Sequence, residues 1–197
     1  MGAGRQRAFD KEEALNKAME VFWRKGYSGT SLSDLTEAMG INKPSLYAAF
    51  GNKEDLFVSA INQYVGEYGI PHFEKLVSPD SSFKDRVKAY LESIAKMISD
   101  SKLPGGCFVA TSTCEAGGDC LPENAMETIL RINTTSTESF ISLFRDEQAK
   151  GNIVSTAPPE VLADFLLTQQ FGLAVMARNG IKEDRLKEVI SHTVSCF

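Results

Sequence analysis

Four cysteine side chains are the most reactive groups in this 197-residue sequence. Cys107, Cys114 and Cys120 lie close together, whereas Cys196 is far along the chain. Cys107 follows a Pro-Gly-Gly turn at an expected helix start, where unpaired N–H groups and the helix dipole stabilise a thiolate and lower the pKa of the thiol. The sequence therefore offers Cys107 as a nucleophile. The alternative is that Cys107 and Cys114 are small buried apolar side chains, as free cysteines often are.

The spacing of these cysteines does not favour a metal site or a disulfide. It lacks the CxxC pattern of structural zinc sites, and both histidines are distant in sequence, so we expect no metal and no cofactor. An ideal helix places Cys107 and Cys114 about 10 Å apart, too far for an undistorted disulfide. Cys120 lies beyond a Gly-Gly break and can fold back toward either.

Catalytic motifs such as a P-loop, GxSxG or HExxH are absent, so we do not expect an enzyme.

A second set of functional side chains lies in residues 30–53, TSLSDLTEAMGINKPSLYAAFGNK. Thr30 or Ser31 can begin a helix that Gly40 ends, and Asn42 can cap the helix that follows. Asn52 and Asp55, which lies just beyond this segment, resemble a capping box for one more helix. The segment therefore predicts two short helices joined by a tight turn.

The second of these helices has an apolar and a polar face. Leu46 and Phe50 point inward at i, i+4 spacing, so Lys43 and Tyr47 share another face, which Ser45 flanks. Two helices joined in this way, the second with a polar outer face, form a helix-turn-helix for the DNA major groove.

This segment resembles the DNA-binding domain of the TetR family of bacterial repressors. The resemblance rests on four motifs in order: FWRKGY in the first helix, a TS-initiated second helix, GINKPSLY in the third, and NKEDLF at the next helix start. It covers about the first 65 residues closely, and the remainder is similar to the family only in helical content and length. The resemblance implies DNA contacts from Thr30, Ser31, Lys43, Pro44, Ser45, Tyr47 and Lys53.

These positions divide by the type of contact that they suit. Lys43, Ser45 and Tyr47 are candidates for base edges and phosphates. Thr30 or Ser31, and Lys53, lie at helix N-termini, where backbone N–H groups favour phosphate. The alternative for the lysines is a solvated surface position. For Tyr47, the alternative is a packed ring of which only the hydroxyl reaches the DNA backbone.

The whole sequence predicts an all-α protein of about nine helices, because helix formers dominate and no strand-period run appears. We expect a three-helix DNA-binding domain at 1–52 and an effector-binding and dimerisation domain at 53–197. A connecting helix at 53–68 is expected to end at Gly69 and Pro71.

No apolar stretch approaches the roughly 20 residues that span a membrane, and the N-terminus lacks the apolar core of a secretory signal. We therefore expect a cytoplasmic protein.

The net charge of −5 is unevenly distributed. Residues 1–66 carry eight Lys/Arg and eight Asp/Glu, so the acidic excess lies entirely in the remainder. Arg5, Arg7, Lys43 and Lys53 fall in the tail, the third helix and the next helix start. Because phosphate binding depends on local clusters of positive charge, the first part suits DNA and the acidic part does not.

The segment of residues 161–176, VLADFLLTQQFGLAVM, is apolar on more than one helical face, so it must be buried on several sides. The TetR resemblance implies a homodimer formed by the last two helices as a four-helix bundle. The expected interface residues are Phe165, Leu166, Gln169, Gly172, Leu173 and Met176. The alternative is a core helix of a monomer. A two-fold dimer would present two recognition helices to a palindromic double-stranded DNA operator.

The body also offers residues for a small apolar effector, although each aromatic alone also fits a core role. The glutamines would supply the few directional hydrogen bonds that such pockets use. The candidates are Tyr64, Tyr68, Tyr90, Cys107, Phe108, Phe140, Phe144, Gln169 and Gln170, with Phe73, Met126 and Phe171 as further candidates.

The family resemblance implies a regulator, repressing rather than activating, that releases DNA when the connecting helix swings. The Gly-Cys pair at Cys107 resembles TetR relatives that sense electrophiles or oxidants through a thiol, so thiol modification is a second route of release beside ligand binding. The alternative function is a helical protein-interaction module that does not bind DNA.

Overall fold

The computed structural model describes residues 9–197, and all regular structure within them is helical. The all-α prediction is therefore confirmed for the described residues, and Arg5 and Arg7 lie outside them. The α-helices are α1 Lys11–Lys25, α2 Leu32–Met39, α3 Lys43–Phe50, α4 Lys53–Tyr64, α5 Ile70–Val77, α6 Phe83–Ile98, α7 Phe108–Gly117, α8 Glu123–Ala149, α9 Pro159–Arg178 and α10 Glu183–Val194.

Helices α4 and α5 are joined without interruption by a π-helical turn, Val65–Gly69. The expected helix end at Gly69 and Pro71 is therefore wrong. The Ile70 amide donates to the Val65 carbonyl, five residues back, so the chain passes the glycine while still hydrogen-bonded. Pro71, which has no N–H to donate, follows directly after this π-helical turn, as the second residue of α5. Counted with this continuous helix, residues 9–197 contain nine separate helices.

Both ends of α2 and the starts of α3 and α4 fall at the residues that the sequence indicates. Ser31 and Asn52 each form a capping box, with Asp34 and Asp55 respectively, and Asn42 caps α3 through the Ser45 amide. Gly40 ends α2 in the left-handed region, at φ 68°. These local hydrogen bonds set where each helix begins, and the buried Leu46 and Phe50 hold α3 on the head, the name used here for α1–α3.

The head and the rest of the chain share one apolar cluster. Phe57 of α4 packs edge-on against Phe22 of α1 and Phe108 of α7, at ring centroid distances of 5.3 Å and 5.6 Å. The division between residues 52 and 53 thus falls where α4 packs on both parts, and it stays a prediction. A second apolar cluster, with Leu91, Phe144 and Leu166 fully buried, holds α5, α6, α8, α9 and α10 together.

The helices α5–α10 are called the body here. Its core also holds one ion pair, in which the Arg86 guanidinium binds the Glu147 carboxylate at 2.5 Å and the Leu76 carbonyl at 2.7 Å. None of the described helices combines the length and the apolar composition that crossing a membrane requires.

Candidate DNA interface, effector cavity and subunit surface

The outer face of α3 carries the side chains expected at DNA. Lys43 and Pro44 are exposed in the first turn, and Tyr47 is 48% exposed one turn later. Ser45 is half-buried, and its amide donates to the Asn42 side chain at 2.9 Å. Leu46 and Phe50 lie underneath in the head core. The helix therefore presents a cation and a phenol on a firmly supported surface.

Thr30 does not reach this surface, contrary to expectation. Its side chain is 2% exposed, and its hydroxyl donates to the Gly26 carbonyl at 2.6 Å, at the end of α1. Ser31 is exposed, but its amide and hydroxyl both bind the Asp34 carboxylate, at 2.9 Å and 2.8 Å. Lys25 also binds this carboxylate at 2.6 Å, and the bonds from Lys25 and then Ser31 lower the pKa of Asp34.

Lys53 lies at the start of α4, with its ammonium 4.0 Å from the centroid of the Tyr27 ring. Partial burial there lowers the pKa of Lys53, and the nearby Glu115 carboxylate acts in the opposite direction. The side chain is therefore held against the head by a cation–π contact rather than extended into solvent.

A cavity of about 470 Å³ lies in the body, between the α4–α5 helix and α6, α8 and α9. Aromatic side chains from α4, α5, α6 and α8 line one part, and the α8 segment 133–139 contributes amide and hydroxyl groups. The cavity lining contains no Asp, Glu, Lys or Arg side chain. Six of the expected pocket residues line it together with Phe73 and Phe171: Tyr64, Tyr68, Tyr90, Cys107, Phe140 and Gln170.

Three other expected pocket residues and Met126 are not among the lining residues. Phe108 is fully buried between Phe57 and Tyr64. Phe144 lies in the second apolar cluster, against Phe197. Gln169 instead accepts a bond from the Thr193 hydroxyl at 3.1 Å, on the other side of α9. A helix that is apolar all round gives no signal for which face meets the cavity, so sequence alone could not separate Gln169 from Gln170.

Part of the lining was not predicted from the sequence, notably His72 and the polar segment of α8. His72 is half-buried beside Ser93 at 2.8 Å, and burial, followed by the charge of Lys75, lowers its pKa. The signal in α8 was a run of small hydroxyl residues, NTTSTES, in the middle of a long helix. Such residues are unusual in helix interiors unless they meet a polar partner or a cavity.

Cys107 faces the cavity, but it is not the thiolate that the sequence suggested. Its side chain is buried, and the Tyr64 hydroxyl donates to Sγ at 3.5 Å. Burial raises the pKa of Cys107 despite the opposing effects of the Tyr64 bond and the nearby α7 amides. Desolvation therefore outweighs the helix N-terminus. Cys114 is exposed, so it does not share this environment.

One face of α9 presents an apolar stripe that none of residues 9–197 covers. Val161, Val175 and Met176 are 53%, 65% and 38% exposed, and Phe165 and Gly172 lie between them along the helix. The stripe continues onto α10, where Val189 is 38% exposed.

Two of the expected interface residues lie elsewhere. Leu166 and Leu173 are 0% and 3% exposed because they point into the core of the protomer itself, so they cannot meet a partner. Gln169 and Phe165 line a cleft between α9 and α10 with Val189 and other residues of α10.

Comparison with known proteins agrees with this architecture. The family model described as bacterial regulatory proteins, tetR family, matches residues 14–60, which cover α2, α3 and most of α1 and α4. The HTH-type transcriptional repressor ComR of Escherichia coli (strain K12) is 31% identical over 97% of this chain and 90% of its own. The repressor BdcR of the same organism is 28% identical, over 93% of this chain and 86% of its own.

A solved structure also covers nearly the whole chain. A cysteine-substituted variant of the TetR family transcriptional regulator CifR, complexed with a 26 bp double-strand operator DNA, is 35% identical. It covers 98% of this chain and 100% of its own, with a TM-score of 0.83. The relatives named in these comparisons are transcriptional regulators and not enzymes.

Proposed function

The chain belongs to the TetR family of bacterial regulatory proteins, and we propose that it represses transcription by binding a palindromic operator as a homodimer. It is a DNA-binding transcriptional regulator by family. The observation that carries the proposal is the exposed face of α3, where Lys43 and Tyr47 project from a helix capped at both ends. Residues 1–52 bind DNA in this proposal, and residues 53–197 bind the effector and the second subunit.

The DNA contacts are assigned by position and exposure. Lys43, Ser45 and Tyr47 meet base edges and phosphates in the major groove, and Pro44 packs on a thymine methyl group. The backbone at the starts of α2 and α4, at Ser31 and Lys53, binds phosphate. Thr30 is left out because its hydroxyl is already engaged inside the head.

The dimer places two heads on one duplex. Burial of the apolar stripe on α9 and α10 against its own copy supplies the contact, and two-fold symmetry then matches a palindromic operator. Two relatives named as repressors match this chain over most of their length, which supports this reading over a helical module without DNA binding. We expect the protein to act in the cytoplasm, where its operator lies.

The effector is an uncharged, largely apolar molecule that binds in the body cavity. A charged group placed there would lose its hydration without gaining an ionic partner, because the lining carries neither Lys or Arg nor Asp or Glu. Bound electrophiles lie next to Cys107, and proximity offsets the low reactivity of a protonated thiol. Ligand binding or Cys107 modification releases DNA by favouring another arrangement of the two heads.

The test is DNA binding by the purified protein. Fluorescence anisotropy with duplexes from the region upstream of the protein's own gene should show tight binding that weakens steeply with salt, as phosphate contacts require. Duplexes of scrambled sequence are the control. Equal affinity for both sets at physiological salt would argue against a specific regulator, and no affinity for either would remove DNA binding altogether.

A further inference from the structure

A single carboxylate of the body holds the backbone of the head. Glu115, in the last turn of α7, accepts a hydrogen bond from the Tyr27 amide at 2.9 Å and from the Ser28 amide at 3.0 Å. These two amides belong to the turn between α1 and α2, 88 and 87 residues away in sequence. The carboxylate therefore acts as a clamp across the joint between the two parts.

The head is shaped to receive this carboxylate. Gly26 has φ 73°, and a Cβ atom built there would lie 2.7 Å from a carboxylate oxygen of Glu115. Glycine thus satisfies two requirements at once, a backbone with positive φ and a close approach by a side chain of the body. A side chain at residue 26 would displace the clamp.

The clamp leads directly to a residue assigned to DNA. Glu115 holds the backbone of Tyr27, and the ring of Tyr27 carries the Lys53 ammonium at 4.0 Å. Lys53 in turn opens α4, whose N-terminus faces phosphate in the proposed complex. A displacement of Glu115 would therefore shift the Tyr27 ring, against which the Lys53 ammonium packs.

The opposite end of α7 lies at the cavity. Cys107 precedes the first residue of α7, and Glu115 is eight residues further on, about 12 Å along a helix. The residue before Cys107, Gly106, accepts a bond from the Trp23 indole of α1 at 3.2 Å. One short helix thus connects the cavity wall to the head at both of its ends.

We propose that Glu115 is a positioning residue for operator binding, which sets the orientation of the head by clamping the Tyr27–Ser28 backbone to α7. The inference rests on the proposed function. It names a residue outside the DNA surface that decides which half-site separation the dimer accepts. Because a preset orientation leaves less freedom to lose on binding, the clamp also raises operator affinity.

The joint has other contacts, and they make the role of Glu115 testable. Arg178 of α9 binds the Trp23 and Arg24 carbonyls, at 3.0 Å and 2.9 Å, and Glu54 of α4 accepts a bond from the Asn124 amide at 2.9 Å. The Arg178 bonds and the shared apolar cluster keep the head attached when Glu115 is replaced, and the Glu54 bond keeps α4 on the start of α8. The expected effect is therefore a loosened orientation and not a detached domain.

The experiment compares the native protein with Glu115→Ala, Glu115→Gln and Glu127→Gln. Glu127 is an exposed carboxylate of α8, so Glu127→Gln removes the same charge as Glu115→Gln and serves as the control. The probes are a duplex that the native protein selects from a random pool, and the same duplex with one base pair inserted between its half-sites. We expect Glu115→Ala to weaken binding to the selected duplex about ten-fold and to lose most of the discrimination against the inserted one, with Glu115→Gln in between.

The outcomes separate the inference from the proposed function. If the native protein selects no sequence, the proposed function is wrong. If Glu115→Ala keeps the native affinity and the native spacing preference, or weakens both probes equally while lowering Tm, Glu115 is not a positioning residue, although the regulator assignment stands. Loss of spacing discrimination at an unchanged Tm, with Glu127→Gln like the native protein, supports the inference.

Discussion

The Tyr64 hydroxyl donates a hydrogen bond to the sulfur of Cys107 across 3.5 Å, in the wall of the body cavity. The bond joins α4, which leads to the head, to the start of α7. It also stabilises the thiolate relative to the thiol, in opposition to burial, which dominates and raises the pKa of Cys107. The thiol is therefore protonated at neutral pH and touches both helices that connect the cavity with DNA.

Cys107 is expected to react slowly with a general thiol reagent. N-ethylmaleimide adds across its double bond, the sulfur bonding to one carbon and the thiol proton ending on the other. The exposed Cys114, Cys120 and Cys196 should be labelled first at pH 7, and labelling of Cys107 should rise about ten-fold per pH unit as the thiolate fraction grows. Tyr64→Phe should slow it further. Peptide mass spectrometry gives each rate, and fastest labelling at Cys107 would contradict the burial argument.

The buried thiol also predicts a pH dependence of folding stability. The folded state raises the pKa of Cys107, so it holds the thiol proton more tightly than the unfolded chain does. The resulting stabilisation is complete below the unfolded pKa of about 8.5 and is lost as the pH rises through the folded pKa. Urea unfolding between pH 7.5 and 9.5 should show this decline, and Cys107→Ser should flatten it. An equal decline in both proteins would assign the effect to other groups.

Replacing the exposed residues of α3 should abolish DNA binding without unfolding the protein. Tyr47→Ala removes a ring that is 48% exposed, so Tm should change little while operator affinity falls. Lys43→Ala should lower the slope of log K against log salt by about two for the dimer, one phosphate contact for each subunit. Lys88→Ala on α6, also exposed, is the matched control. An unchanged salt slope for Lys43→Ala would remove that residue from the phosphate contacts.

The apolar stripe on α9 predicts which substitutions break the dimer. Val175→Asp places a carboxylate in the proposed interface, where it would be buried without a partner, so the dimer should dissociate. Val154→Asp is the control, because Val154 is 88% exposed outside the helices. Leu166→Ala should instead lower the free energy of unfolding by about 2–5 kcal/mol and leave the dimer intact. Sedimentation velocity distinguishes the cases, and an intact Val175→Asp dimer would place the interface elsewhere.

The sequence predicted those features that depend on neighbouring residues. The starts of α2, α3 and α4 follow from side chains that bind amides three residues on, as at Ser31, Asn42 and Asn52, so one stretch of sequence contains the whole interaction. Most of the outer face of α3 follows from the i, i+4 spacing of Leu46 and Phe50, which leaves Lys43 and Tyr47 on another face of the helix.

Features that depend on distant residues could not be predicted. The pKa of Cys107 is raised because residues from distant parts of the chain bury its side chain, which no local pattern reveals. Leu166 and Gln169 face the core and the outer cleft because of how α9 packs on its neighbours. The clamp at Glu115 likewise joins residues nearly ninety positions apart.

The uncharged lining of the cavity has a consequence for how a signal reaches this regulator. A molecule that fits such a lining carries no formal charge and exposes mostly carbon, so it dissolves in lipid and crosses a bilayer without a carrier. Under the proposed function, a signal of this kind therefore needs no importer to reach the cavity.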